Sequence, residues 1–238
     1  MLTYTKPQHF QSTVLTKETV TDKVYRVRYQ LTEPQEISYY AGQTIMLTVA
    51  PSVHRAMSIA SPPQEKTVIT TYQDVSPMGP GSLWMLHLNT GDRAEFLGPL
   101  GRFTVDKESP RKKVLVATGT GIAPFRSMLL DETDQRISGD PVSLYWGLRH
   151  AGDIYLQDEL QRIASDRKSF EYRLTLSKPE ESWQGLRGYV QDHVFAQETD
   201  LPDKDFYLCG NKNMIIDMQQ KLMSAGVPKQ QIRNDPFY

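Results

Sequence analysis

Hydrophobic and polar residues alternate through most of the first hundred positions of the chain. The alternating runs are rich in Val, Ile, Thr and Tyr and are separated by turn sequences such as "YYAGQ" and "NTGDR". The strands predicted from them are "KVYRVRYQL", "QTIMLTVA", "AMSIAS", "TVITTYQDV" and "RAEFLGPL", with a short helix at "GSLWMLHL" between the last two. So many short strands predict a small antiparallel barrel or sandwich.

The pattern changes after "DKESPRKK" (residues 106–113), a polar run with a proline that is typical of a linker. Strands are then predicted at "KVLVATG", "PVSLYWGLR", "FEYRLTLS", "DFYLCG" and "IRNDPFY", and helices begin near Pro124, Ile154, Tyr189 and Asn213. This alternation predicts a mainly parallel sheet with helices on both sides. The predicted fold has two domains, an antiparallel β-barrel over residues 1–108 and an α/β parallel-sheet domain over residues 109–238.

Charge and cysteine content narrow the functional classes. The 238 residues carry a formal net charge of -1, which gives no basic surface for nucleic acid or an anionic membrane. The single cysteine, Cys209, excludes an internal disulfide and a cysteine-ligated iron–sulfur cluster, and no metal site is predicted. No signal peptide or membrane-spanning stretch is recognisable. We therefore expect a cytoplasmic protein with no nucleic-acid or membrane partner.

The segment "VLVATGTGIAPFRSMLL" (residues 114–130) carries the most specific chemical signal. A hydrophobic strand leads into Gly119, Thr120 and Gly121, and Pro124 stands where a helix would start. Glycines at a strand-to-helix turn let the backbone approach a phosphate, and the helix start offers N–H groups to the anion. The spacing is not the GxGxxG of ordinary dinucleotide folds. The segment is either a tight turn or a nucleotide site, and its strand–turn–helix context favours the nucleotide site.

A second glycine-rich segment, "SPMGPGSLWML" (residues 76–86), precedes the helix of the first half. Gly79, Gly81 and Ser82 again place backbone N–H groups and a hydroxyl at a helix start. The segment is either a phosphate site or a capped helix.

The strand "HRAMSIAS" (residues 54–61) places a charged side chain among hydrophobic positions. Strand alternation puts Arg55 and Met57 on one face and Ala56 and Ser58 on the other. Arg55 either neutralises an anion or covers the mouth of the barrel with its aliphatic stem.

Six motifs, "RAMS", "GPGS", "GPLGRF", "GTGIAP", "YWGLR" and "YLCG", occur in an order that resembles the ferredoxin–NADP reductase-like family of flavoprotein reductases. The resemblance extends from about Val14 to Tyr238. It implies a flavin-binding barrel, an NAD(P)H-binding domain, and hydride transfer from nicotinamide to flavin. Electrons would pass to a separate acceptor such as ferredoxin. Two alternatives stay open: a flavin reductase that releases reduced flavin, and an electron-transfer subunit of a larger assembly.

The resemblance also implies how FAD would be bound. Arg55 would neutralise a flavin phosphate, and Ser58 would hydrogen-bond near flavin N5. Gly81 and Ser82 would hold the pyrophosphate, which favours FAD over FMN. Met57 would lie against the isoalloxazine ring, where the family usually has an aromatic residue. The implied flavin-binding set is Arg55, Ala56, Met57, Ser58, Gly79, Gly81 and Ser82.

For the nicotinamide nucleotide, NADH or NADPH, the implied set is Gly119, Thr120, Gly121, Pro124, Gly147, Arg149, Ser177, Lys178, Cys209 and Gly210. Cys209 is either beside the nicotinamide or a small buried residue. Ser177 and Lys178 would contact a ribose 2′-phosphate or are solvated, and the absence of a second nearby basic residue favours NADH. A C-terminal aromatic residue, Phe237 or Tyr238, would cover the flavin. The implied catalytic set is Ser58, Cys209, Asp235 and Tyr238.

Overall fold

The structure is a computed structural model, and it describes residues 4–132, 137 and 139–236. One structural unit consists of the described chain up to Thr104 together with Ala123–Glu132. The other consists of Val105–Ile122 and the described residues that follow Glu132. The predicted boundary at residues 108 and 109 stays a prediction. In the described part of the chain, no helix is long and apolar enough to cross a membrane.

An antiparallel sheet forms the first unit, in the order β4-β3-β6-β1-β2-β5. Its elements are β1 (Gln8–Thr19), β2 (Val24–Glu33), β3 (Thr44–Ala50), β4 (Val53–Ser58), β5 (Val68–Asp74), α1 (Pro80–His87) and β6 (Arg93–Leu100). The two edge strands approach each other just after β4, where Ala60 N–H donates to Thr70 O at 2.8 Å. The predicted antiparallel barrel fold is confirmed.

Strand β1 was not predicted, although it pairs with both β2 and β6 inside the sheet. Its inward positions include Phe10, Ser12 and Val14, all buried. Ser12 interrupts the hydrophobic alternation, and its hydroxyl is satisfied by Ala94 O at 2.8 Å. A buried serine with a partner in a distant strand gives no signal in the sequence.

The second unit contains a parallel sheet in the order β10-β9-β8-β7-β11-β12. The strands are β7 (Lys112–Thr118), β8 (Val142–Leu148), β9 (Phe170–Leu176), β10 (Leu186–Arg187), β11 (Lys204–Gly210) and β12 (Ile232–Pro236). Among the described residues, α2 (Ile122–Leu130) follows β7 and lies almost wholly in the first unit, and the α-helices of the second unit are α3 (Gln157–Asp166), α4 (Val190–Gln197) and α5 (Lys212–Ser224). The predicted α/β parallel-sheet fold is therefore also confirmed.

Helices α4 and α5 cover one face of this sheet. Val116 of β7 and Leu208 of β11 share a buried cluster with Val194 of α4 and Met218 of α5. Because neighbouring strand residues point to opposite faces, Ala117 and Cys209 belong to the other face. Cys209 therefore lies on the face that α4 and α5 leave uncovered, at the carboxyl end of its strand.

Candidate functional site

In the first unit, Arg55 and the start of α1 lie side by side. A Cβ added to Gly81 would lie 3.0 Å from Arg55 Cγ, so the glycine backbone packs on the arginine stem. Arg55 Nη1 donates to His54 O at 2.7 Å, and among the described residues Arg55 forms no ion pair. Two motifs 26 positions apart in the sequence thus form one positively charged corner.

The start of α1 is open to an anion. Gly79 precedes the helix with no side-chain cap, and Pro80 at the first position has no N–H to satisfy. The first backbone bond of the helix runs from Leu83 N–H to Gly79 O at 3.0 Å, so the Gly81 and Ser82 N–H groups have no acceptor within the helix. Together with Arg55, these donors fit the pyrophosphate of FAD.

The remaining predicted flavin residues follow the expected alternation along β4. Arg55 and Met57 are half-buried, whereas Ala56 is exposed on the opposite side. Met57 also packs against the core of the first unit, so part of its side chain is in contact with that core. Ser58 ends the strand and is half-buried. Their roles toward flavin stay predictions.

In the second unit, the carboxyl ends of β7 and β11 are in direct contact through their glycines. A Cβ on Gly121 would lie 2.4 Å from Cys209 O, and a Cβ on Gly210 would lie 2.2 Å from Thr118 Oγ1. Gly210 also has a φ of 132°, which side chains rarely adopt. Only glycine fits at either position, so the two predicted nucleotide motifs meet at one place.

The turn at Gly119–Gly121 is the better of two phosphate sites at this edge. The start of α5 is already closed, because Asn211 Oδ1 accepts N–H bonds from Asn213 at 2.9 Å and Met214 at 3.4 Å. Thr118, which precedes the Gly119–Gly121 turn, makes no such side-chain cap. The turn is therefore the better candidate of the two for a nucleotide phosphate, and its role stays a prediction.

Cys209 is completely buried among the described residues. Burial raises the pKa of its thiol well above the usual value, and the nearby charge of Asp235 raises it further. Asp235 is the neighbour of Cys209 in the parallel register of β11 and β12. Cys209 is therefore a neutral thiol with no exposed surface, which favours the alternative of a small buried residue over contact with the nicotinamide, and its catalytic role stays a prediction.

Gly147 and Pro124 occupy tightly packed positions. A Cβ on Gly147 would lie 3.0 Å from Cβ of Val190 and 3.3 Å from Cγ2 of Thr118. Pro124 is buried two residues after the start of α2, within the first turn where a missing N–H costs nothing. Their predicted contact with the nucleotide stays a prediction.

Two cationic residues, Arg149 and Lys178, are backbone neighbours at the outer part of the same edge. Lys178 N–H donates to Arg149 O at 2.8 Å, which continues the pairing of β8 and β9 beyond the strands. Ser177 is tied in the same way, to Leu148 O at 3.0 Å. Both cationic side chains are exposed. Arg149 is the second basic residue that the sequence lacked near Lys178, and it comes from the neighbouring strand.

Two residues that the sequence did not indicate hold the glycine turn. Trp146 Nε1 donates to Gly119 O at 2.9 Å, and Thr118 Oγ1 accepts from Asn211 N–H at 2.8 Å. Both bonds join different strand ends, so no local pattern reveals them. Phe237 and Tyr238, predicted to cover the flavin, lie outside the described residues.

Each half of the chain matches a family model. The family model described as an oxidoreductase FAD-binding domain matches residues 11–105, and that described as an oxidoreductase NAD-binding domain matches residues 115–220. The chain belongs to the ferredoxin–NADP reductase-like family of FAD- and NAD-binding oxidoreductases. The predicted family and cofactors are confirmed.

Individual relatives have several names. The chain is 30% identical to one component of the Na(+)-translocating NADH-quinone reductase of Pseudomonas aeruginosa over 200 residues, 78% of this chain and 49% of that protein. It is 29% identical to ferredoxin–NADP reductase B of Sorangium cellulosum over 238 residues, 96% of this chain and 97% of that protein. This chain thus spans about half the length of the first relative.

Among solved structures, the cytochrome P450 reductase GcoB of Amycolatopsis superposes with a TM-score of 0.88 at 25% identity. The match covers 97% of this chain and 70% of that one. The match extends over both units of the chain, and each unit has the sheet expected for its cofactor domain.

Proposed function

We propose that this chain is an NAD(P)H-dependent flavoprotein reductase that passes electrons through FAD to a separate acceptor. The observation that carries the proposal is the corner formed by Arg55, Gly81 and Ser82, where a cation without an ion pair among the described residues adjoins an uncapped helix start. When bound, FAD and the nicotinamide nucleotide supply the hydride transfer and the storage of two electrons.

The side chains of the first unit bind and orient the flavin. Arg55 balances the phosphate charge, and the Gly81 and Ser82 N–H groups donate to the pyrophosphate. Met57 offers a polarizable thioether to the ring, and the Ser58 hydroxyl hydrogen-bonds at N5.

The second unit binds the nicotinamide nucleotide at the carboxyl edge of its sheet, where open α/β sheets place their ligands. The Gly119–Gly121 turn presents backbone N–H groups to a phosphate. Cys209 ends β11 at this edge with its thiol fully buried, and its backbone carbonyl packs against Gly121. Asp235 is the acidic residue next to it in the sheet.

The preferred nucleotide is either NADH or NADPH. One relative is named for NADH and another for NADP, so their names do not separate the two. Arg149 and Lys178 together place two positive charges at one rim of the sheet, which supports recognition of a 2′-phosphate. This pairing weakens the reason that the sequence offers for preferring NADH.

Arg55→Ala tests the flavin assignment. Removing the phosphate counter-charge should lower the FAD retained through desalting, while the melting temperature of the apoprotein stays close to that of the wild type. His54→Ala is a matched control, because His54 is exposed on the same strand and points to the opposite face. Full FAD retention by Arg55→Ala would contradict the assignment.

A second candidate is a reductase that releases reduced flavin, and Met57 favours it. A methionine gives less stacking area than an aromatic ring, so FAD would be held loosely. Met57→Tyr should then strengthen FAD binding by up to about tenfold, measured by titrating apoprotein, if the pocket admits the ring. Tight FAD binding by the wild type would reject this candidate.

The acceptor separates the proposed function from its alternatives. A small electron-transfer protein such as ferredoxin is the first acceptor to test, because one full-length relative is named a ferredoxin–NADP reductase. Reduction of ferredoxin with FAD still bound supports the reductase. Reduction of free flavin alone supports the second candidate, and activity only with further subunits supports a role within a larger assembly.

A further inference from the structure

Trp146 of β8 reaches across the sheet edge to the turn that follows β7. Its indole N–H donates to Gly119 O at 2.9 Å, and the side chain is fully buried. The ring of Tyr155 stands edge-on to the indole, with centroids 5.0 Å apart and planes at 89°. The Tyr155 Oη lies 3.5 Å from the same carbonyl. The Gly119 carbonyl is therefore held by a packed aromatic pair.

Gly119 depends on such a partner for its orientation. Its φ is 54°, in the left-handed region, and a glycine can leave this region at little cost. A Cβ placed on it would meet nothing within 4 Å, so the turn is not packed at this residue. Packing at Gly119 itself therefore does not fix the peptide that follows it, although the next residue, Thr120, is buried.

The geometry of the peptide group links this carbonyl to the proposed phosphate site. The Gly119 carbonyl and the Thr120 N–H belong to one planar trans peptide, and they point in opposite directions. A bond that holds the carbonyl toward Trp146 therefore holds the Thr120 N–H away from Trp146. If this peptide rotated, the Thr120 N–H would point toward Trp146 and the Gly119 carbonyl would point toward the proposed phosphate site. A carbonyl oxygen in that position repels an anion.

We infer that Trp146 is a positioning residue for the nicotinamide nucleotide. It keeps the Gly119–Thr120 peptide in the orientation that presents its N–H to a phosphate, so that less ordering is required when the nucleotide binds. Tyr155 supports the indole in this role. The inference rests on the proposed function, because it requires the nucleotide to bind at this turn.

Trp146→Phe tests the role, because it keeps an aromatic ring and removes the N–H donor. Leu144→Ala is the control: Leu144 is equally buried, lies two residues earlier on the same face of β8 and has no hydrogen-bonding group in its side chain. NAD+ and NADP+ binding is measured by calorimetry. We expect about three- to tenfold weaker binding for Trp146→Phe, as for the loss of one hydrogen bond, and wild-type binding for Leu144→Ala.

Two further readouts separate positioning from stability. The KM for the nucleotide should rise in Trp146→Phe while kcat and FAD content stay unchanged. Amide hydrogen exchange of residues 118–121 should also accelerate in Trp146→Phe and not in Leu144→Ala. If Trp146→Phe does not fold, benzothienylalanine at position 146 replaces the N–H with sulfur and keeps the shape of the indole.

The outcomes distinguish this inference from the proposed function. If the wild type binds the nucleotide and Trp146→Phe binds it equally well, the positioning role alone is overturned. The same holds if Trp146→Phe weakens binding no more than Leu144→Ala does. A folded wild type that binds neither NAD+ nor NADP+ overturns both.

Discussion

The amino and carboxyl ends of the neighbouring strands β7 and β11 differ in how they use charged side chains and backbone groups. At their amino ends these strands carry four charged residues, Lys112, Lys113, Lys204 and Asp205. Each of them forms an ion pair with another residue of the protein. At their carboxyl ends they lead into Gly119–Gly121 and Cys209–Gly210, whose backbones pack closely on each other and leave Gly119 facing open space. The first end stabilises the fold, and the second is the proposed binding edge.

The amino end satisfies its own charges. Lys113 Nζ lies 3.3 Å from Asp205 Oδ2 and donates to Ser109 O at 2.9 Å, and both side chains of the pair are buried. Glu198, also buried, accepts from Tyr145 Oη at 3.0 Å and from Lys112 Nζ at 3.2 Å. Charges that are neutralised in this way have little left to offer a ligand.

The central turns of the carboxyl end have no charged side chain and keep their backbone dipoles for a ligand. What fixes these turns is contact between the strands, through Gly121 against Cys209, Thr118 against Gly210 and Trp146 on Gly119. Substitutions at the two ends should therefore fail differently, the first in folding and the second in binding.

Lys113→Met should have the largest effect, on stability. It leaves the buried Asp205 carboxylate without its cation, which costs about 3–5 kcal/mol of unfolding free energy. Urea unfolding measures the loss. Adding Asp205→Leu should recover most of it, because the isolated buried charge is then gone. A Lys113→Met variant as stable as the wild type would show that the amino end does not stabilise the fold as we describe.

Gly121→Ala should act mainly on binding. The new Cβ would lie 2.4 Å from Cys209 O, so one of the two turns must shift, at a cost of about 1–3 kcal/mol in stability. We expect nucleotide affinity to fall by at least about tenfold, since that turn is the proposed phosphate site. The matched control is Gly152→Ala in the same unit, where the added Cβ meets nothing within 4 Å. Unchanged nucleotide affinity in Gly121→Ala would refute the assignment of the Gly119–Gly121 turn as the phosphate site.

Lys178→Ala and Lys168→Ala compare the two edges with the same substitution. Lys178 follows β9 at the carboxyl edge, and Lys168 precedes it at the amino edge; both are exposed. If Lys178 meets a 2′-phosphate beside Arg149, its removal should raise KM for NADPH about three- to tenfold and leave NADH nearly unchanged. Lys168→Ala should change neither. Equal effects on both nucleotides would make Lys178 a solvated residue.

The smallest effect concerns the ion pair of Asp106 with Arg233, at 2.7 Å. Burial opposes ionisation of Asp106, but bonds from Arg233 and the Glu108 N–H outweigh it, and the pKa of Asp106 is lowered. A carboxyl group whose pKa is lowered by folding stabilises the folded state at pH values above its pKa in the unfolded chain, about 3.9. This stabilisation is lost as the pH falls through the pKa of the folded state. Asp106→Asn should be less stable than wild type at pH 6, by at most about 1 kcal/mol.

The same comparison at lower pH checks the direction of the pKa shift of Asp106. The gap between wild type and Asp106→Asn should shrink below about pH 4, in thermal unfolding at a series of pH values. A gap that widens as the pH falls would contradict the direction of the shift.

How far the sequence predicts the molecule depends on whether the signal is local. Alternation identifies Ile45 and Leu47 as core, and the strand–turn–helix context of Gly119–Gly121 identifies the turn, because these signals lie within a few residues. In α5, helical spacing of hydrophobic residues marks Met214, Met218 and Leu222, which are buried, but it also marks Met223, which is 47% exposed at the last turn of the helix.

Signals that need two distant segments are missed. Strand β1 depends on Ser12 bonding to Ala94, the support of Gly119 comes from Trp146, and Lys178 gains Arg149 from the next strand. In each case the two partners are far apart in the sequence, so neither residue has a local pattern that indicates the interaction. The sequence therefore predicts elements and turns that have a local pattern better than it predicts the distant residues that hold them in place.

The most direct test of the central claim is an anaerobic titration of the purified protein with NADH and with NADPH, followed by its flavin absorbance. We predict that the protein retains or takes up FAD and that one equivalent of the preferred nucleotide bleaches the flavin band. Bleaching should be weakened in Gly121→Ala and preserved in Gly152→Ala. A folded, FAD-loaded protein whose absorbance neither nucleotide changes would contradict the claim that this chain is an NAD(P)H-dependent flavoprotein reductase.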